Sequence, residues 1–485
     1  MRRLLFLGLA LCVAAHAATP LRIELAAAPA WKGWSRPGAA TEVDLRVGTD
    51  AATRVSVDLV TGRQTVHAAL DLEPGRVTRL QLPLSATGQA TVSVAAADGT
   101  TRRLEIDLAR SESPLLAVGL AADEPVALEG FHGIVITADD LPRNASAYEA
   151  IDALILDAPT LRALDPRQLA ALLAHAAACG RIAVVGADDR LREALAGTGG
   201  CGGRTLMTAA SATEATRLLS ASLASSLPPT MTQADAGALA QPGHAVWNAV
   251  ALTLAAAFAA GALALVFTTA WPALVLTPAL AAVLALALLH ALQPRSQLVV
   301  WSEGESGARA ARYQAWQRVA GVARTSIRMP IPTPLAASVR PCEPAQPIRF
   351  EFDAGRAQAV SVAFDARLFG QVSLCYAGGF PLARELVVEA RADGSRTVAN
   401  VGARAWPQGL LLADRRVHEL PPLAPGAGTT IGSGTGTPPR DAVTRTALAR
   451  MPVDGAAALW DLELAGVADA SIESNGWLLV TAAQP

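Results

Sequence analysis

Lysine is almost absent from this chain: of its 40 basic residues, only Lys32 is not arginine. Against 42 acidic residues the net charge is −2, which leaves no electrostatic footprint for nucleic acid. With the abundance of alanine, the arginine preference reads as the codon bias of a GC-rich genome rather than as design for phosphate. The signatures of common chemistry are missing too. There is no HExxH, no GxSxG elbow, no P-loop and no DxDxDG loop, so zinc peptidase, serine hydrolase, nucleotide hydrolase and EF-hand readings have no support. The seven histidines are scattered. Gly432-Ser-Gly-Thr-Gly436 has the glycines of a phosphate loop but lacks the strand before and the helix after it. The five cysteines include no CxxC pair, which argues against zinc-ribbon and thioredoxin-type sites. No catalytic residue, metal or cofactor is expected.

What is present begins at the N-terminus. Arg2 and Arg3 precede an apolar run over 4–14, and Ala15-His-Ala17 is a small-x-small cleavage site. That order is a secretory signal peptide over 1–17. Cys12 raises a lipoprotein reading, but Leu11 stands where a lipobox needs a small residue. Export leaves Cys179, Cys201, Cys342 and Cys375. An even number in an exported chain suggests disulfides, and the spacings favour Cys179–Cys201 and Cys342–Cys375.

Residues 18–110 alternate apolar and polar with period two at 21–25, 42–47, 54–59, 78–82, 90–94 and 103–108. Turn signals at Glu73-Pro-Gly75 and Asp98-Gly99 separate them. The pattern predicts an immunoglobulin-like β-sandwich, with Trp31 and Trp34 plugging the end of its core. The period then changes. Residues 115–120, 133–137, 153–156 and 181–185 are continuous apolar runs, suited to strands buried on both faces of a parallel sheet. Asp165-Pro166 opens a helix, and 189–195 and 213–223 read as further helices. Residues 111–225 are thus expected to form a doubly wound α/β domain. Ligands of such sheets bind beyond the carboxyl ends of the strands. Asp139, Asp140, Asp157, Asp188 and Asp189 all follow apparent strands. Capping explains most of them; Asp157, directly ending a buried strand, is the candidate ligand-binding residue.

After a Pro/Gly-containing linker over 226–245 come two stretches without Asp, Glu, Lys or Arg, 246–267 and 272–292, of 22 and 21 residues, the second with only His290 near its end. Each is long enough to cross a bilayer, and together they predict a transmembrane hairpin. Trp247, Trp271 and Trp301 suit interfacial positions. An exported N-terminus and a hairpin would return 293–485 to the periplasm. Six arginines between Arg295 and Arg328 oppose this under the positive-inside rule. Residues 293–485 are expected to open with a helix over 306–322 and to continue as a β-rich domain. Its strands are expected at 348–352, 359–364, 371–376, 386–390, 459–464 and 477–481, with a flexible insert at 425–439.

The run from Leu141-Pro142 to Gly186 resembles the glutamine amidotransferase-like domain of large membrane-anchored bacterial envelope proteins. It carries that family's pattern as Leu141-Pro142, Tyr148, Asp152, Asp157, Leu161, Leu164, Gln168 and Ala171-Leu172, with Cys179-Gly180 where the family has Gly-Gly. The segment from Trp31 to Gly38 resembles the start of the sandwich that precedes this domain. The resemblance, over about residues 20–200, implies the class I amidotransferase fold without its catalytic cysteine, and so binding or scaffolding. It also implies envelope protein partners, in the setting of a MoxR-type ATPase and von Willebrand A-domain proteins. The expected protein is therefore a non-enzymatic scaffold held in the inner-membrane bilayer, with its domains in the periplasm. The alternative is an envelope hydrolase or ligand-binding enzyme using the Asp157 crevice.

Overall fold

The computed structural model describes residues 21–240 and 295–482, apart from short internal stretches that include 122–129, 196–204, 225–231, 333–338 and 463–471. The expected signal, both apolar stretches of the hairpin and Cys201 lie outside the described residues. Among the described residues, no helix is long and apolar enough to cross a membrane. The chain is a mostly β multidomain protein containing one five-stranded parallel α/β sheet.

All six strands expected in the N-terminal region are present, and a seventh, Gln64–Leu72, joins them. Ile23–Pro29, Ala40–Thr49 and Thr78–Ser85 form one antiparallel sheet. It is layered on a second sheet containing Thr53–Thr61, Gln64–Leu72, Gly88–Ala96 and Thr101–Arg110. The period-two pattern sets which face is inside: Val55, Val57 and Leu59 are buried, whereas Ser56 and Asp58 between them, and Val60 after them, reach solvent.

The second sheet does not end with the sandwich. Gln64–Leu72 pairs in parallel with Ile348–Asp353, with Val66 opposite Phe350. The sheet continues through Gln358–Ala366 to Thr325–Pro330, reaching eight strands in all. It therefore crosses the boundary expected between the N-terminal sandwich and 293–485. On its inner face Val66, Leu70, Phe350, Phe352, Val362 and Phe364 belong to one continuous apolar core. On its outer face Arg349 lies 3.7 Å from Asp58 across the seam, and His67 Nε2 lies 4.0 Å from Glu351.

A second eight-stranded sheet is built from the C-terminal region alone. Its order is Val339–Pro341, Gln371–Pro381, Ala310–Ala320, Arg295–Glu305, Ile472–Thr481, Ala456–Asp461, Gly409–Ala413 and Arg416–Leu420. Leu298, Val300, Ala315 and Leu374 face the core of the shared sheet. Val299, Trp301, Leu459 and Leu479 face the other way, under the helices Gln233–Leu239 and Ala442–Arg450. The uninterrupted Leu298-Val-Val-Trp301 run thus reflects a strand covered on both faces. Cys342 and Cys375 form the expected disulfide, which ties the edge strand to its neighbour. Closing a separation of 33 residues is worth about 4 kcal/mol on chain-entropy grounds. Cys179 is also disulfide-bonded.

Two expectations for this region need correction. The helix expected over 306–322 is instead the strand Ala310–Ala320. Its residues have adequate helix propensity, but Tyr313, Ala315, Gln317 and Val319 alternate into the interior, and pairing on both edges overrides the local preference. Within 425–439, expected as a flexible insert, Gly428–Ile431 forms a strand against Arg396–Asn400. With Leu386–Ala390 these make a third small sheet.

The α/β sheet contains five parallel strands, in the order His132–Val135, Leu115–Gly119, Ala153–Asp157, Ile182–Val185, Leu206–Ala209. In chain order that is 2-1-3-4-5, a doubly wound sheet whose direction of winding reverses between the first and third strands. The helices Pro166–Ala177, Asp189–Leu195 and Ala212–Ala224 match expectation closely. Asp165 caps the first of them by accepting from the backbone N–H groups of Arg167 and Gln168 at 2.8 and 2.9 Å.

The seam predicts a coupled unfolding unit. Phe350→Ala, at a residue 5% exposed, is expected to cost about 3–5 kcal/mol. Hydrogen exchange should then show loss of protection in 53–72 together with 348–366. Loss confined to 348–366 would mean that the two halves of the sheet open independently.

Candidate functional site

The carboxyl end of the parallel sheet is where sequence reasoning placed a ligand. Asp157 does sit at the reversal point, beside the end of Leu115–Gly119. One of its carboxylate oxygens accepts from the Thr160 N–H at 2.8 Å, capping the helix Ala158–Ala163. The other accepts from the Ala121 N–H at 2.6 Å. Its neighbours are similarly engaged. Asp140 accepts from the backbone and hydroxyl of Thr137, and Asp188 accepts from the Leu191 N–H and pairs with Arg162. These carboxylates terminate strands and start helices. Among the described residues, no group of three His, Cys, Asp or Glu side chains could hold a metal ion.

The motif residues of the α/β domain hold one another in place. The Tyr148 hydroxyl donates to the Pro142 carbonyl at 3.2 Å. The Gln168 amide donates to the carbonyls of Ala138 and Leu141 at 2.7 and 2.9 Å. Trp31 reaches the same place from the sandwich. Its indole N–H donates to the Ala147 carbonyl at 2.8 Å, and its ring meets Tyr148 edge-on at 5.3 Å. Trp31 is thus structural, but it fills the core of the α/β domain rather than that of the sandwich, a correction to the expected plug. Trp31 and Lys32 both have positive φ, 53° and 52°. Such strain costs on the order of 1–3 kcal/mol per residue and persists only because the buried indole outweighs it.

A cavity lies at the opposite, amino end of the parallel sheet, against the C-terminal sheet, with a volume of about 390 Å³. Asp152, one residue before the central strand, accepts from the Leu115 N–H at 2.8 Å and pairs with Arg36 at 3.0 Å. Glu149 pairs with Arg340, from the C-terminal region. Burial pushes the Glu149 carboxyl up, opposed by Arg340 and Arg36. Arg181 donates to the Ser222 hydroxyl at 3.2 Å; burial pushes its guanidinium down, Asp152 opposes this and Arg36 adds to it. His175 stacks on Tyr148, and burial pushes it down to about 4, so it is neutral at pH 7. Arg312 completes the wall, bound to the buried Glu303. Burial pushes the Glu303 carboxyl up, but Arg312 and Arg450 more than offset that and hold it low.

Two glycines bring the walls together. A side chain at Gly379 would strike Ala177 of the helix Pro166–Ala177 at 2.4 Å, and one at Gly180 would strike His175. That helix ends with Cys179 in the left-handed region, at φ 67°, and with the Gly180 N–H donating to the His175 carbonyl at 2.8 Å. This is a Schellman-type end in which cysteine takes the usual glycine position. Sequence reasoning named Tyr148 and Asp152 as motif residues but missed Arg36, Glu149, Arg181, Arg312 and Arg340 as a group. They come from five separate segments, and no spacing links them.

Glu42 joins the sandwich to the α/β domain just beside this region. It is 3% exposed and accepts from the Asn144 amide at 2.8 Å and the Arg143 N–H at 3.3 Å. Burial dominates these hydrogen bonds and raises its pKa from 4.5 to about 7. The folded state therefore holds a proton between those values that the unfolded chain releases. The associated stability is complete below about pH 4.5 and is lost as pH rises to about 7, by on the order of 3 kcal/mol. Glu42→Gln should flatten that part of the profile. Urea unfolding of both proteins from pH 4.5 to 8 checks this: parallel profiles would show that Glu42 does not titrate there.

No family model and no curated protein matches the chain. Among solved structures, it is similar to the yeast delta-COP-I mu-homology domain, in a structure with a Dsl1 WxWxV peptide. The similarity has 8% identity and a TM-score of 0.20, and it covers 39% of this chain and 95% of that one. At that level it carries no argument about fold, partner or activity.

Proposed function

We propose that this chain is an exported envelope protein, anchored through 246–292, that acts as a non-enzymatic binding scaffold with all its folded mass on the periplasmic side. The observation that carries the reading is the shared sheet. Thr53–Thr61 and Gln64–Leu72 precede the apolar stretches and Ile348–Asp353 and Gln358–Ala366 follow them, yet they form one hydrogen-bonded sheet. Strands that pair with one another occupy one side of a bilayer, so an even number of crossings fits the pairing and an odd number does not. The helix Gln233–Leu239 and the strand Arg295–Glu305, which flank the undescribed stretch, both belong to the same layered unit. The Cys342–Cys375 disulfide favours an oxidising compartment.

The scaffold part of the reading rests on the α/β domain. Its 2-1-3-4-5 order is compatible with a degenerate glutamine amidotransferase-like domain, and the strand-end carboxylates, Asp157 included, are engaged in capping. Envelope protein partners follow from that reading. Alkaline phosphatase fused after Pro485 should be active in cells, and green fluorescent protein fused there and exported unfolded should stay dark. A bright fluorescent fusion with an inactive phosphatase would reject the topology. Crosslinking in intact cells should return a reproducible envelope partner, and its failure to do so would count against scaffolding.

A further inference from the structure

We propose that the joint between the N-terminal sandwich and the α/β domain is a proton-controlled switch, closed while Glu42 is neutral and opened when Glu42 loses its proton. This inference is independent of the envelope reading. It also goes beyond an effect on overall stability, because the transition is local: the α/β domain parts from the sandwich while both stay folded. The contacts of the joint converge on one short segment, 143–150. Glu42 accepts from the Arg143 N–H and the Asn144 amide. The Ala147 carbonyl accepts the Trp31 indole N–H, and the Ala150 carbonyl accepts the Arg36 N–H at 3.2 Å. One side of the joint is thus the chain from Trp31 to Glu42. The other is the short 3-10 helix Ala145–Ala150 with the two residues before it.

The surroundings of Glu42 make the joint sensitive to its charge. Both of its partners are neutral donors, and among the described residues no guanidinium or ammonium group pairs with it. The nearby cations are engaged elsewhere. The Arg143 side chain reaches Asp165 at 2.6 Å, and Arg79 of the adjacent strand is held by Asp44 at 2.7 Å. Lys32, in the turn that carries Trp31, is exposed. Asp44, on the same face of its strand, opposes ionisation of Glu42 further. The Tyr148 hydroxyl is directed to the Pro142 carbonyl. A buried carboxylate without a counter-ion is costly, and exposure to water removes the cost. Ionised Glu42 therefore favours the open joint. Opening also releases strain: Trp31 and Lys32 stay left-handed only while the indole is seated against Tyr148. Ser146 adds to this, with its hydroxyl buried and without a protein hydrogen-bond partner. Against these terms stand the seated indole and the Arg36–Asp152 pair at 3.0 Å. Opposing terms on one small contact are what a two-state joint requires.

The test is native-state hydrogen exchange on the full chain in mild detergent, at pH 5.5 and 8 and over a series of sub-denaturing urea concentrations. Protection is corrected for the intrinsic pH dependence of exchange. Opening returns Glu42 to water and to its ordinary pKa of 4.5, against about 7 in the closed joint. The closed form is thus fully favoured below about pH 4.5 and loses that advantage as the pH rises to about 7. Protection of 143–151 should fall about 30-fold between the two pH values. The loss should be insensitive to urea, and 143–151 should be less protected than 53–72 at both pH values. Glu42→Gln should remove the pH dependence and keep 143–151 protected at pH 8. Glu42→Met, which has no titrating group either, serves if that variant does not fold. Exchange of 143–151 and 53–72 together, with the same protection and the same urea dependence, is global unfolding alone and would overturn the proposal. So would a wild-type protein without the fall in 143–151, or a fall that persists in the Glu42 variant.

Discussion

The structure depends on one strand pairing: Gln64–Leu72 beside Ile348–Asp353, in parallel. Remove it and two β-units remain, each with an open edge and half an inner face. With it, a single core runs from Ile23 through Val66 and Phe350 to Tyr376. The pairing closes a loop of more than 270 residues, which makes it entropically slow but not prohibitive, because closure cost grows only with the logarithm of loop length. It also has a consequence for synthesis. The edge of Gln64–Leu72 stays unpaired until residues near 350 have been made, and an unpaired edge is a template for aggregation. Its outer residues are Thr65, His67 and Ala69, not a stretch of large apolar side chains, which lowers that risk.

The α/β domain lies within this loop and is fastened to it at its amino end. Trp31 and Glu42 reach it from the sandwich, and Arg340 and Gly379 reach it from the C-terminal sheet. These contacts are of different kinds: a buried indole, a carboxylate with a raised pKa, an ion pair and a backbone approach. Their common location is informative. An open parallel sheet usually offers its carboxyl end to ligands, and here that end is closed locally by Asp157 capping while the amino end is built into the rest of the protein. The domain works as a wedge between two β-units, and the charged cavity is the space left where the three surfaces fail to fill.

Much of this was legible in the sequence wherever the information was local. The six sandwich strands, the continuous runs of the parallel sheet, the Asp165-Pro166 helix start and the Cys342–Cys375 pair all follow from short-range rules. Gln64–Leu72 was missed because Ala68, Ala69 and His67 dilute an alternation that Val66, Leu70 and Leu72 nevertheless carry. Ala310–Ala320 was misread as a helix because its composition suits one, and the choice is made by partners at 295–305 and 371–381. The seam itself has no sequence signal at all, since parallel pairing between distant segments leaves no mark on either. The cavity was invisible for the same reason: its cations are ordinary arginines until the fold brings them together.

The arginines after the second apolar stretch show how structure changes the weight of a sequence rule. Counted as free charges, they argue for a cytoplasmic location under the positive-inside rule. In the fold, Arg312 is buried against Glu303, Arg318 donates to Gln371 at 2.7 Å and Arg328 pairs with Glu351 at 3.3 Å. These side chains are consumed by a β-domain that must fold on one side as a unit. The rule concerns short loops beside a span, and it loses force for segments that belong to a translocated domain. The shared sheet applies a stricter condition than charge counting does, because broken strand pairing costs many hydrogen bonds at once whereas a few misplaced arginines cost only an orientation preference. Strand pairing constrains which segments lie together, and charge counting does not.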